Sequence, residues 1–446
     1  MRFRRSRPVR NAVAEGEQFR RRALVAALGV AAALAALALG YGRLQIQQHE
    51  EYATRSEENR IRLDPIVPAR GLVYDRNGVL LADNAPAYRL DIVPERVEDM
   101  PQLLAALRER VALSEDELRR FENARKGSRR FKPIPLKLRL AEEEIARLAV
   151  DRHRFPGVEV VPYLTRRYPF GELTAHIVGY VGRIDQDDVD ALESRGESRF
   201  AALPHIGKTG LERFYESRLR GDVGYQEVET NVENRPLRVL RRHDAKPGAD
   251  LHLSIDIALQ KAMVEAFDGK HGAAIAIDPK TGEILAMVSL PSYDPNLFVG
   301  GISFNDYRRL NEDVARPLFN RNVLGGFPPG STLKPFMALA GLDEGLITPE
   351  TTVFSSGAYR LPGQAREYRD WRPGGHGTIN LRESLAQSVN TYYFDLAMKL
   401  GSDRISADFD RMGFRKPTGI DLTGEVGGVL PSREWKQRRF KQAWFP

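Results

Sequence analysis

The chain has 446 residues, enough for two or three domains and a full-sized core. Its formal charge is +7, but eight Arg and two Glu within residues 1–22 supply +6 of it, so the excess belongs to the tail. With the rest near neutrality and no basic stripe interleaved with aromatics, nucleic acid is set aside as a partner. The absence of cysteine excludes disulfides, Cys-ligated zinc and thiol nucleophiles.

Residues 1–22 read as a basic cytoplasmic tail. "ALVAALGVAAALAALALG", residues 23–40, follows with no charge and no proline. Its five Leu and two Val contribute roughly −3 kcal/mol toward insertion. About 20 helical residues cross a hydrocarbon core of ~30 Å. We expect a transmembrane signal anchor over 23–42. The run is longer than a signal-peptide core, and "YGRLQIQQHEEY" after it offers no cleavage site between small residues. The arginines should keep the N-terminus in the cytoplasm, leaving the chain from about residue 43 on the other side of the membrane.

Residues 43–60 read as a charged helix leaving the membrane. "RGLVYDRNGVLLADN", 70–84, is expected to be a hairpin with a type I′ turn at Asn77-Gly78. Residues 98–152 read as charge-rich helix, with a capping box between Ser114 and Glu117, interrupted by the prolines of "RRFKPIPLKLRL". Residues 157–240 mix short strands and turns. A boundary is placed near 245–250, at Lys246-Pro247-Gly248. Beyond it, "IDIALQKAMVEAF" has helical spacing and "AAIAIDPKTGEILAMVS" reads as two strands around a tight turn. "STLKPFMALAGLDEG" and "SVNTYYFDLAMKLG" read as helices stopped near Gly345 and Gly401. This mixture describes an α/β domain.

"FPPGSTLKP", 327–335, carries chemistry. The Pro-Pro-Gly break delivers Ser331 into the first turn of a helix, where backbone N–H groups are unpaired and the dipole is positive. Lys334, three residues on, shares its face. A lysine takes a serine proton only as the free amine, a form that burial favours. The bland alternative is a serine cap beside an exposed lysine. A second element, "SVN" at 388–390, offers Ser388 for proton transfer and the Asn390 amide to hold Lys334 and a substrate carbonyl; its bland alternative is simple capping by Ser388. Another Ser-x-Asn, Ser303 to Asn305, reads as loop. Of two Lys-Thr-Gly triplets, Lys280 falls in the turn between two strands and Lys208 at a helix entrance.

Ser-x-x-Lys followed by Ser-x-Asn behind an export anchor resembles the penicillin-binding proteins. "NRIRLDPIVPARGLVYDRNGVLLADN", "GKTGLERFYESRLRG", "DPKTGEILAMVSLPSYDPN", "FPPGSTLKP", "YRDWRPGGHGTINL" and "TGIDLTGEVGGVLPSREWK" resemble the elongation-type class B penicillin-binding protein 2 family from about residue 40 onward. The resemblance implies a single N-terminal transmembrane helix, an α+β elongated pedestal domain of the dimerisation type (43–248), and an α/β penicilloyl-serine-transferase domain of β-lactamase-like fold (249–446). It implies an inner-membrane, single-pass, largely periplasmic peptidoglycan D,D-transpeptidase acting on stem peptides in cell elongation and inhibited by β-lactams. A SEDS-type membrane glycosyltransferase is the implied partner, and no cofactor is implied. Ser331 would be the nucleophile, Lys334 its base, and Ser388 and Asn390 assistants; the Ser331 N–H would supply half of the oxyanion hole.

Two departures from the family pattern set further expectations. The family's catalytic Lys-Thr-Gly strand lies much further beyond Ser-x-Asn, whereas 58 residues follow Ser388 here. On that ground we expect a C-terminally truncated chain with an incomplete transferase domain, weakly active at most, or an inactive scaffold that binds the glycosyltransferase. Some family members also carry a zinc site of two Asp, one His and one Cys. Asp370 and His376 match two of these positions, while Ser355 and Val389 occupy the others, so no structural zinc is expected. His376 then reads as a loop histidine bonded to backbone.

Overall fold

A computed structural model describes residues 12–43, 61–197, 200, 203–231 and 235–442. The charged helix expected over 43–60 lies, beyond residue 43, outside the described residues. These fall into two compact units, Met1–Val67 with Val223–Ala245, and Pro68–Asp222 with Lys246–Pro446.

In the first unit, Ala12–Gly42 forms one helix that begins upstream of the apolar run and includes Arg20–Arg22. Its Phe19–Gly42 stretch is 24 residues long, apolar and unburied. At 1.5 Å per residue it measures ~36 Å, sufficient to span a bilayer. An antiparallel sheet accompanies it, with Gly224–Thr230 between Ile61–Ile66 and Pro236–His243. Tyr225 stacks on His243 across that ladder at 4.4 Å.

The second unit begins with the long strand Leu80–Ile92. It pairs antiparallel with Val158–Arg167 over ten residues, from Asp83↔Arg167 to Ile92↔Val158, and with Ile134–Lys137 on its other side. The expected charge-rich helical region resolves into Met100–Arg108, Glu115–Gly127 and Glu142–Val150. Ser114 and Glu117 form the capping box. The proline-containing break supplies the strand Ile134–Lys137. Leu107, Phe121, Ile134, Leu136 and Leu148 meet Leu90 and Ile92 in one core.

The 70–84 hairpin forms, pairing Val73 with Ala82 and Tyr74 with Leu80, but its turn is not type I′. That type needs positive φ at both central residues, and only Gly78 has it, at 81°. Asp75 organises the turn instead. Its carbonyl accepts the Gly78 N–H at 3.2 Å, and its Oδ1 accepts the N–H groups of Asn77 and Val79, both at 2.8 Å. The carboxylate thus supplies locally the acceptors that would otherwise come from a tighter turn.

Two motifs far apart in sequence meet beneath this sheet. Glu212 of "GKTGLERFYE" is fully buried and ion-paired with Arg166 and Arg70, both at 2.7 Å. Arg70 also reaches Glu216 at 2.6 Å, and the Tyr168 hydroxyl donates to Glu212 at 3.2 Å. Burial pushes the Glu212 carboxyl up, yet the two guanidiniums outweigh it and hold the group below its ordinary value. Lys208, at the entrance of helix Gly210–Phe214, is engaged by Asp185 at 2.7 Å and by Asp188.

Beyond residue 250, helix Ile257–Ala266 packs on the antiparallel pair Gly272–Ile277 and Ile284–Leu290. Buried Gln260 pins helix to strand, accepting the Met287 N–H at 2.7 Å and donating to the Met287 carbonyl at 2.8 Å. Lys280 lies in the exposed turn between the strands. Ser303 is not in a loop; it caps helix Phe304–Glu312, its hydroxyl accepting the Asp306 N–H at 3.1 Å. A serine followed by polar residues at helical spacing served this cap, and the Ser-x-Asn spacing alone concealed it.

Candidate active site

The nucleophile candidate sits where two helical geometries join. Gly330–Leu333 is a 3-10 turn, and the α-helix Lys334–Asp343 continues from it. Gly330 takes φ of 57°, a conformation glycine adopts without a Cβ penalty. Pro335 is tolerated because a first-turn residue needs no intrahelical donor. Lys334, Ala338 and Gly341 fall at i, i+4 and i+7 on the buried stripe of the helix. Ser331, one turn earlier, stays exposed.

The second helix, Asn390–Leu400, lies against the first. Ala338 and Ala340 pack with Tyr392, Tyr393 and Leu396 in one core. Gly341 permits the close approach: a Cβ there would stand 2.8 Å from Leu396 Cδ1 and 3.0 Å from Ile347 Cδ1. This packing brings "STLK" and "SVN" together across 57 residues of sequence.

All four residues expected at the site meet. The Ser388 hydroxyl donates to Ser331 Oγ at 2.9 Å. Lys334 Nζ donates to the Ser388 carbonyl at 2.6 Å, to Ser388 Oγ at 3.1 Å and to Asn390 Oδ1 at 2.7 Å. Ser388 thus stands between the Ser331 hydroxyl and the Lys334 amine. It is not the helix cap: Val389 holds that position, without a side-chain bond. Ser388 takes φ of 52°, in the left-handed region that costs a non-glycine residue about 1–2 kcal/mol. Lys334 is 9% exposed, and its amine lies 5.7 Å from the centre of the Tyr393 ring. Burial is the larger influence on its pKa and draws it below the ordinary value; the Asp370 carboxylate pulls the other way.

Flanking the site, the hairpin Ala358–Arg360/Glu367–Arg369 delivers Asp370, and the ribbon Val353–Ser355/Gly377–Ile379 delivers Ser355 and His376. Asp370 Oδ2 accepts the Thr391 N–H at 3.0 Å, and Oδ1 accepts the Trp371 N–H at 2.8 Å. Burial raises the Asp370 pKa, but donation by the Thr391, Trp371 and Asn390 N–H groups, with help from His376, leaves it below the usual carboxylate range. The Thr391 hydroxyl is bonded to Ser355 Oγ at 2.7 Å and stands 3.3 Å from Asp370 Oδ2. His376 is not bonded to backbone through its ring. Its Nδ1 lies 3.0 Å from Gln387 Oε1 and its Nε2 3.5 Å from Asp370 Oδ1. The Trp371 indole N–H donates to the Gln387 carbonyl at 2.9 Å. The spacing of single motifs points to none of Trp371, Gln387 and Thr391 as site residues, because each takes its place through hydrogen bonds to partners on another segment.

A serine hydroxyl in contact with a second serine, itself in contact with a buried lysine, is an arrangement suited to acyl transfer, and with this helix pair it is the geometry of a serine acyltransferase. Comparison with known proteins gives the family. Residues 65–253 match the Penicillin-binding Protein dimerisation domain, and residues 272–444 match the Penicillin binding protein transpeptidase domain. The chain is 45% identical over 437 residues to the peptidoglycan D,D-transpeptidase MrdA of Escherichia coli (strain K12), covering 98% of this chain and 69% of that protein. The structure of Pseudomonas aeruginosa PBP2 in complex with WCK 5153 is similar at TM-score 0.63 and 38% identity, over 86% of this chain and 64% of that one. Helicobacter pylori PBP2, solved in complex with MreC, is similar at TM-score 0.74 and 30% identity, over 86% and 71%. The chain belongs to the MrdA-type peptidoglycan D,D-transpeptidases.

The residues at the positions where the resemblance would imply zinc, Ser355, Asp370, His376 and Val389, do not fit the metal. Val389 is fully buried and has no donor atom, and the Ser355 hydroxyl already serves Thr391. Asp370 and His376 alone cannot complete a tetrahedron. Among the described residues, no group of three or more His, Cys, Asp or Glu is placed to hold a metal ion.

Proposed function

We propose that Ser331 is the acyl-carrying nucleophile of a D,D-transpeptidase acting on peptidoglycan stem peptides, with Lys334 as base, Ser388 as relay and Asn390 as orienter. The relay contact of Ser388 Oγ with Ser331 Oγ at 2.9 Å and with Lys334 Nζ at 3.1 Å carries the reading. With Lys334 as the free amine, the Ser388 proton passes to Nζ while the Ser331 proton passes to Ser388 Oγ. Ser331 Oγ bonds to the penultimate D-alanine carbonyl carbon. The Ser331 N–H, unpaired in its first turn by helix geometry, is the donor suited to the developing oxyanion. Collapse breaks the C–N bond, and the relayed proton goes to the departing D-alanine amine. A neighbouring stem amine then attacks the ester, loses its proton through the same relay, and expels Ser331 Oγ.

The same reading assigns 43–248 as pedestal and 249–446 as transpeptidase domain, with the N-terminus cytoplasmic and the bulk periplasmic at the inner membrane. β-Lactams acylate the same serine. The partners proposed are a SEDS-type glycosyltransferase and, by likeness to the Helicobacter protein, an MreC-type scaffold. The test is incubation with a labelled penicillin followed by peptide mass spectrometry. We expect the adduct on the peptide containing Ser331 and none in Ser331→Ala. An unlabelled wild-type chain, or a label elsewhere, would sink the assignment.

A further inference from the structure

Ser388 holds a left-handed backbone conformation, φ 52°, with no glycine to make it cheap. Such conformations persist at functional sites only where the surroundings over-determine them. The surroundings here grip the segment on both sides. Upstream, the Trp371 indole N–H holds the Gln387 carbonyl at 2.9 Å, and His376 Nδ1 meets the Gln387 side chain at 3.0 Å. Downstream, Asp370 Oδ2 holds the Thr391 N–H at 3.0 Å, and Ser355 Oγ bonds the Thr391 hydroxyl at 2.7 Å. Asp370 and Trp371 are consecutive, so one short strap reaches both flanks of the triad.

We propose that Asp370, Trp371 and Thr391 are positioning residues: a hydrogen-bonded clamp that fixes Ser388–Asn390 on Ser331 and Lys334 without a metal ion. The clamp occupies the positions at which the family resemblance would imply zinc. Ser355 and Thr391 make their bond with each other there, and Val389 contributes packing alone. The atoms of Asp370, Trp371 and Thr391 that hold the segment 387–391 are ordinary donors and acceptors with their partners present, while the buried His376 Nε2, 3.5 Å from Asp370 Oδ1, makes no hydrogen bond. The inference rests on the acyl-serine reading for its kinetic test, but its structural test does not.

Trp371 is 62% exposed, so Trp371→Phe removes one N–H without opening the core. We expect its penicillin acylation rate constant to fall about fivefold, the rate equivalent of one hydrogen bond, with the penicillin dissociation constant unchanged. Asp370→Asn and Thr391→Val should fall further, up to about 100-fold, as misplacement of a catalytic group does. Thr391→Ser, which keeps the hydroxyl, should restore the rate. Amide hydrogen exchange reads the clamp directly: exchange across residues 387–392 should quicken in Thr391→Val and not in Thr391→Ser. Chelator should change neither rate nor exchange in the wild-type chain. Stoichiometric zinc whose removal quickens that exchange, or variants with wild-type exchange, overturns the proposal. If the wild-type chain takes no label, the transpeptidase reading fails while the exchange experiment still decides the clamp.

Discussion

Lys334 Nζ meets Ser388 twice, at the backbone carbonyl 2.6 Å away and at the hydroxyl 3.1 Å away. Only the second contact carries a transferable proton; the first fixes the amine in place. The left-handed conformation of Ser388 lets one residue present both groups to the same amine.

Two substitutions separate these contributions. Ser388→Ala and Ser388→Gly both delete the hydroxyl, so each should lower penicillin acylation by about 10²-fold or more, the usual worth of a positioned proton carrier. Gly relieves the positive-φ strain that Ala retains. Ser388→Gly should therefore unfold later than Ser388→Ala in urea, by about 1 kcal/mol. Equal midpoints would show that the backbone there is unstrained.

Lys334 sets a pH dependence. Its folded pKa lies below the ordinary 10.5 because the amine is buried. Acylation should rise with pH through that lowered value, as the free amine appears. Between the lowered and the ordinary value the unfolded chain binds the extra proton, so stability also rises with pH in that window. In Lys334→Met the rise of acylation with pH should vanish, and the stability slope should lose the Lys334 share while the buried tyrosines keep theirs, which stopped-flow labelling and urea titration across the alkaline range will check.

The Glu212 cluster is a stability element. Glu212→Ala leaves Arg70 and Arg166 facing each other in the core, and removal of one partner of a buried pair costs about 3–5 kcal/mol. Thermal unfolding at neutral pH should register this loss. The folded carboxyl titrates below its ordinary 4.5. Its contribution is therefore complete above the ordinary value and lost as pH falls through the folded one. The gap between wild type and Glu212→Ala should narrow over that acid window.

Gly341 tests the helix contact that assembles the site. A valine there meets Leu396 and Ile347 inside normal contact distance. Overpacking of this kind costs about 1–3 kcal/mol. Because the same helix begins at Lys334, we expect slower acylation of Ser331 together with a lower unfolding midpoint. An unchanged rate would place the adjustment elsewhere in the core.

Much of this protein was legible from residue order alone. The apolar run with its arginines specified a helix able to span a bilayer. The Ser114–Glu117 box and the glycines at 345 and 401 marked helix ends, because caps are local chemistry. "STLK" placed serine and lysine on one turn, since i and i+3 share a face on any helix. Where reading went astray, one local signal stood in for its neighbours: Asn77-Gly78 suggested a turn that Asp75 controls, and Ser303 suggested a loop where it caps a helix. Tertiary packing decided the rest. It made Ser388 the link between Ser331 and Lys334, set its backbone left-handed, and turned Asp370, Trp371 and Thr391 toward it. Those relations depend on two helices approaching closely at Gly341 and on hydrogen bonds between segments with no sequence proximity, so no spacing within either segment encodes them.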